Sequence, residues 1–192
     1  MSTLRLFNHD DGSAPRATFT DHAAIAAELA RIGVRFERWE AARPLPPGAS
    51  QDEVIAAYRQ DIDRLMRSGG YQSVDVISLA PDHPERAALR QKFLAEHTHS
   101  EDEVRFFVAG SGQFTLHVGG SVYDVHCEQG DLIGVPAGTR HWFDMSESPY
   151  FIAIRLFTSK EGWVADFTGD PIADGFPRMQ PAVGEREAGG AT

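Results

Sequence analysis

The sequence predicts a mainly β fold, an antiparallel sandwich or barrel preceded by a few helices. Three observations carry the prediction. From Gln72 onward, β-rich runs recur at 74–79, 103–108, 114–118, 122–126, 132–135, 141–145 and 151–157, at spacings mostly of about 8–12 residues. Turn residues separate them: Gly110-Ser111-Gly112, Gly119-Gly120, Gln129-Gly130-Asp131 and Pro136-Ala137-Gly138. Helical periodicity, by contrast, is confined to the first third of the chain.

Taken in order, residues 4–8 alternate weakly, as an edge strand does. Thr20 or Asp21 caps a helix whose apolar positions are Ile25, Leu29 and Ile32, with Gly33 as its stop. Residues 34–39 alternate apolar and charged side chains, the pattern of a half-buried strand. Pro44, Pro46 and Pro47 stiffen a connector ending at Gly48. Ser50 with Glu53 forms a capping box. Val54, Tyr58, Ile62 and Leu65 then make one apolar stripe of a second helix, ended by Gly69-Gly70. The segment 181–192 is Gly- and Ala-rich and is expected to be a disordered tail.

Composition narrows the function classes. Apolar residues make up 42% of 192, enough for one well-packed domain over about 1–180, with the barrel at about 72–160. The net charge of −10 disfavours nucleic acid, which needs clustered Lys and Arg, and disfavours casual association, so a monomer is expected. No apolar run approaches the roughly 18 residues of a membrane span, and the first residues lack a signal-peptide core. The single cysteine, Cys127, permits no internal disulfide and leaves a cytoplasmic location as the expectation.

Residues 97–103 read His-Thr-His-Ser-Glu-Asp-Glu. His97 and His99 are two apart, so on a strand they share a face. Glu103 opens the next strand, and His141 follows a Pro-Ala-Gly turn that delivers it from a different one. Three neutral imidazoles and a carboxylate suit a divalent transition metal such as iron, nickel, manganese, copper or zinc. Four such ligands on an octahedral ion leave two neighbouring positions for a substrate with two adjacent oxygens. Each residue alone is weak: a lone His-x-His is usually structural, and a lone Glu is usually surface charge. Glu103 lies seven residues before Gly110, however, and Gly130 precedes Pro136, Gly138 and His141 by six, eight and eleven. Eight identities in that register make one site of them.

The two segments resemble the paired motifs of the cupin superfamily, which implies a double-stranded β-helix, or jelly-roll barrel. Gln91 and Met145 depart from a Gly and an Asn usual in those motifs, and neither is a ligand position. Residues 97–108 and 136–145, with 33–39 near the start, are similar to the acireductone dioxygenases of methionine salvage over roughly residues 3–170. That resemblance implies one iron(II) or nickel(II) held by His97, His99, Glu103 and His141. It also implies cleavage by dioxygen of 1,2-dihydroxy-5-(methylthio)pent-1-en-3-one. With iron the expected products are formate and 4-methylthio-2-oxobutanoate. With nickel they are carbon monoxide, formate and 3-methylthiopropanoate. The alternatives are a quercetinase-like cupin dioxygenase, a cupin sugar isomerase or epimerase, and a non-enzymatic cupin used for binding or storage, against which the intact ligand set argues.

Arg105 shares the face of Glu103, and the resemblance gives it the role of holding the substrate dianion. Phe93, Phe107, Phe143 and Trp163 are candidates for an apolar wall around a methylthio group. Glu96 and Asp102 flank the ligands; the resemblance offers them accessory roles in metal incorporation or conformational coupling, while their residue types alone suggest solvated charges. His117 and His126 are not expected to be ligands. His9, His22 and His83 read as surface residues, and Cys127 as a buried small one.

Overall fold

The computed structural model describes residues 1–180. The expected tail, 181–192, lies outside the described residues. Strands β1 (Thr3–Asn8) and β2 (Ala17–Phe19) lead into helix α1 (His22–Ala30) and strand β3 (Arg35–Arg38). Helices α2 (Gln51–Ala57) and α3 (Arg59–Gly69) precede strand β4 (Ser73–Leu79) and helix α4 (Arg86–Leu94). The remaining strands are β5 (His97–Thr98), β6 (Glu103–Val118), β7 (Ser121–Glu128), β8 (Asp131–Val135), β9 (Arg140–Asp144), β10 (Phe151–Phe157) and β11 (Asp166–Phe167). A short 3₁₀ helix, Pro171–Gly175, follows. No helix among the described residues is long and apolar enough to cross a membrane.

Two antiparallel layers share one strand. The first runs β11-β5-β9-β6-β7-β1-β2, and the second runs β4-β10-β6-β8-β3. The early half of β6 pairs with β8 and β10, and its later half with β7 and β9. A turn was expected at Gly110-Ser111-Gly112, but the strand continues through it. Gly110 takes φ +64°, and a Cβ there would lie 1.8 Å from the Tyr150 carbonyl oxygen. Only glycine allows this bend, which carries β6 from one sheet to the other.

The pleat sorts the side chains of β6. Val104, Phe106 and Val108 face the helices and pack with Val54, Tyr58, Ile62 and Leu65, all nearly inaccessible. Burying each such side chain contributes about 1.5–3 kcal/mol, which holds α2 and α3 on the sheet. The second helix was expected to be continuous; it breaks at Tyr58 (φ −111°, ψ 23°), whose ring lies edge-on to Phe106. The capping box is present, and Asp21 caps α1 by accepting from the Ala24 N–H. Glu103, Arg105 and Phe107 face the interior, where Phe107, Phe114, Phe143 and Phe151 fill the space between the layers.

The N-terminal segment contributes strands as well as helices. β1 pairs β7 along its whole length, and β3 pairs β8. β1 is not the edge strand expected of it, because the three-residue β2, too short for periodicity to reveal, lies outside it.

Candidate functional site

Two turns converge the predicted ligands. His97 on β5 pairs with His141 on β9 in register, and Glu103 starts β6 beside β8. His99 lies just past the end of β5, in the short link to β6 rather than on a strand. Ring centroids are 4.4 Å apart for His97 and His141, 5.2 Å for His97 and His99, and 5.3 Å for His99 and His141. One ligand atom from each of the three histidines lies within 4.8 Å of the other two. Glu103 falls outside that mutual set, yet its Oε2 is 3.4 Å from His99 Nε2 and 3.8 Å from His141 Nε2. Donors about 2.1 Å from one ion lie roughly 3 Å apart when adjacent and roughly 4.2 Å when opposite, so these separations fit a shared ion.

Each ring is tethered through its other nitrogen. Nδ1 of His97 sits 2.8 Å from the Ala95 carbonyl, Nδ1 of His141 2.8 Å from the Thr139 carbonyl, and Nδ1 of His99 2.9 Å from the Val164 carbonyl. A carbonyl only accepts, so Nδ1 must carry the proton and Nε2 the lone pair. Glu103 Oε1 accepts from Arg105 Nη2 at 2.8 Å and from Nε at 3.3 Å. Glu103 Oε2 and His141 Nε2 are buried without hydrogen-bond partners. Such orphans are costly unless something absent from the polypeptide satisfies them, and a cation does so for an anionic oxygen and a free lone pair together.

Electrostatics agree. Burial pushes the His141 imidazole down to about 3, with His97 adding to the effect. Burial lowers His97 as well. Burial would raise the Glu103 carboxyl, but Arg105, then His141 and His99, outweigh it and hold it well below the usual carboxylate range. His97 and His141 are therefore held as neutral imidazoles and Glu103 as the ionised carboxylate, the protonation states that bind a divalent cation.

A cavity of about 490 Å³ opens onto this group. His97, His99 and Arg105 reach its surface, whereas Glu103 and His141 lie behind them. Phe93, Phe143 and Trp163 line it. Phe107 does not. It shares the inward face of β6 but lies deeper, wholly buried, 6.2 Å from Phe143 and 6.4 Å from Phe151 by ring centroids. The Arg105 guanidinium stacks 4.6 Å from the Phe143 centroid and 4.9 Å from that of Phe114. Its Nη1 is buried without a partner.

Several lining residues were not anticipated. Val76 and Ile77 come from β4, Leu89 and Lys92 from α4, Arg155 from β10, and Phe167 from β11. Helix α4 itself was missed: Arg90 binds Asp144 of β9 through two bonds of 2.8 and 3.1 Å, which sets Phe93 6.2 Å from Phe143. Its apolar stripe is too short to announce it.

Glu96 is not a solvated charge. It is 1% exposed, accepting from Thr168 Oγ1 at 2.8 Å and lying 2.9 Å from His117 Nδ1. It holds the strand β11 segment, where Phe167 pairs with His97. Asp102 is exposed and accepts from the Ala137 N–H at 2.8 Å, closing the two motif turns on each other. His22 is half-buried, stacked 4.7 Å from Phe36. Cys127 is fully buried, and burial pushes its thiol well up, away from nucleophilic chemistry.

Residues 4–165 match the model of the ARD/ARD' family. The chain is 60% identical over 181 residues to the acireductone dioxygenase of Stenotrophomonas maltophilia strain K279a, covering 94% of this chain and 98% of that one. It is 59% identical over 180 residues to the acireductone dioxygenase of Pseudomonas aeruginosa strain UCBPP-PA14, covering 94% and 99%. A solved structure of acireductone dioxygenase from Bacillus anthracis, with a cadmium ion in its active center, superposes with a TM-score of 0.76 at 31% identity, covering 87% of this chain and 98% of that one.

Proposed function

The chain belongs to the ARD/ARD' family, and from that premise we propose that it is a metal-dependent dioxygenase that cleaves acireductone with dioxygen. One observation supports the reading above the others. Three imidazoles tethered through Nδ1 and one carboxylate tethered through Oε1 turn their remaining donors toward one another, His97 and His99 lining an aromatic cavity and Glu103 and His141 lying behind them. In this reading His97, His99, Glu103 and His141 hold a single iron(II) or nickel(II). Such an ion, when bound, supplies Lewis acidity toward two neighbouring substrate oxygens and access to dioxygen chemistry.

The polypeptide does the rest. The substrate is an ene-diol conjugated with a ketone, so its hydroxyl proton is acidic and its anion is the electron-rich species that dioxygen attacks. Arg105 stays cationic even though burial lowers its pKa, and its unpartnered Nη1 is free to pair with that anion. Glu103 holds the other edge of the guanidinium, and Phe114 and Phe143 fix its plane. Phe93, Phe143 and Trp163 receive the methylthio chain and exclude water, which strengthens the charge interaction. Carbon–carbon cleavage then gives formate with 4-methylthio-2-oxobutanoate, or carbon monoxide and formate with 3-methylthiopropanoate, according to the ion.

The test is product identification on protein loaded separately with iron and with nickel. Consumption of acireductone with carbon monoxide from the nickel form alone is expected. Failure of both forms to consume it, or cleavage of a flavonol in its place, sinks the reading.

A further inference from the structure

The cavity differs from its surroundings in charge. The chain carries a net −10, yet no carboxylate lines this cavity among the described residues. Four other concavities of the fold each show at least one: Glu128, Asp10, Glu96 and Asp75 are examples. Three cations line the cavity, Lys92, Arg105 and Arg155. Two are compensated. Arg105 is paired with Glu103, and Arg155 binds both oxygens of Asp75 at 2.9 and 2.6 Å. Lys92 makes no ion pair among the described residues. It is exposed, in the last turn of α4, one residue before Phe93. Trp163 and Phe167, 57% and 50% exposed, mark the same rim.

From this juxtaposition we infer that Lys92 is the residue that captures the substrate as an anion at the cavity mouth, before Arg105 receives it at the floor. The inference rests on the reaction proposed above. The substrate is a vinylogous acid and arrives ionised. A surface of net −10 repels it, and an aperture without carboxylates, carrying one uncompensated ammonium, offers the local attraction that brings it in. Lys92 is a specificity-determining residue in this sense: it selects for charge on the incoming molecule and touches no reacting atom. The competing explanation is that Lys92 only complements the carbonyl end of α4. That role affects stability and leaves the salt dependence of turnover unchanged.

The experiment uses metal-loaded protein: wild type, Lys92→Arg, Lys92→Gln and Lys92→Glu, with initial rates measured from about 20 mM to about 300 mM salt, a range over which screening shortens severalfold. For Lys92→Gln, kcat/KM should fall about three- to tenfold at low salt through KM, kcat should stay within about twofold, and the gap should close at high salt. Lys92→Glu should fall further, and Lys92→Arg should stay near wild type. A Lys92→Gln variant with wild-type kcat/KM and wild-type salt slope overturns the inference. Trp163 gives a second readout without turnover. Iodide should quench its fluorescence less in Lys92→Glu than in wild type, while neutral acrylamide quenches both equally; equal iodide quenching also overturns the inference. If wild type does not consume acireductone, the proposed reaction fails, and the iodide result still decides whether Lys92 draws anions to the mouth.

Discussion

Two concavities sit along the first half of β6, five residues apart in register, and their contrast is instructive. The larger, about 890 Å³, lies by Gly110 and is walled by Arg38, Glu128, Gln129 and Tyr150. Its polar groups are matched: Arg38 bonds Glu128 at 3.2 Å and the Gln129 carbonyl at 3.0 Å, and Gln129 donates to the Ala41 carbonyl at 2.6 Å. The smaller, about 490 Å³, lies by Arg105, and its floor holds buried polar atoms with no partner. Volume therefore misleads here. What distinguishes the smaller one is the cluster of unmade bonds beside it, on Glu103, Arg105 and His141 together, a convergence that a bound group would complete.

Breaking the smaller site should have the largest effects. His97→Ala, His99→Ala, Glu103→Ala or His141→Ala should each lower bound metal by elemental analysis and bring oxygen uptake to background. A variant that keeps full metal and full rate removes that residue from the ligand set. Arg105→Met should cost about 10²–10³ in kcat/KM, the scale of losing one preorganised charge donor, with metal content largely kept. Near-wild-type kinetics would show that the guanidinium serves Glu103 alone.

Stability changes come next. Gly110→Ala places a Cβ against the Tyr150 carbonyl at a positive φ and should cost about 2–4 kcal/mol by urea unfolding, without altering which metal binds. Acidification should destabilise the metal-free protein. His97 and His141 have folded pKa values below the ordinary 6.5, so the unfolded chain takes up protons first. Stability is then lost as pH falls below about 6.5, by up to about 1.4 kcal/mol per unit for His141 down to about 3, with His97 adding a loss of the same sign. Glu103, also shifted down, adds its loss only below its ordinary 4.5. A flat urea midpoint between pH 7.5 and 5.5 after chelation contradicts this. The smallest effect belongs to the larger concavity: His126→Gln should leave kcat/KM within about twofold, and a large loss there would dissolve the contrast.

The sequence exposed the parts that short-range physics governs. Ser50 and Glu53 form their box because both partners lie within one turn, and residues 151–157 read as a strand because both faces of β10 are buried. His97, His99, Glu103 and His141 were legible through spacing to glycines and a proline. What stayed hidden depends on distant contacts. Gly110 reads as a turn because the bend and the strand continuing past it share one local signature. Phe107 reads as pocket because facing inward says nothing about depth. Glu96 reads as solvated because His117 and Thr168 lie 21 and 72 residues away in sequence. Lys92 carries no signal until the absence of carboxylates around it can be seen.

The three histidine tethers have different origins. His97 and His141 each lean on a carbonyl two residues back, so their ring orientation is inherited with the motif itself. His99 leans on Val164, 65 residues further along, in a segment that contributes no ligand. Changes of length or sequence near residues 159–165 can therefore rotate the lone pair of His99 while leaving every residue of the motif intact. Two chains with identical motifs can in this way present different metals with different donor geometries.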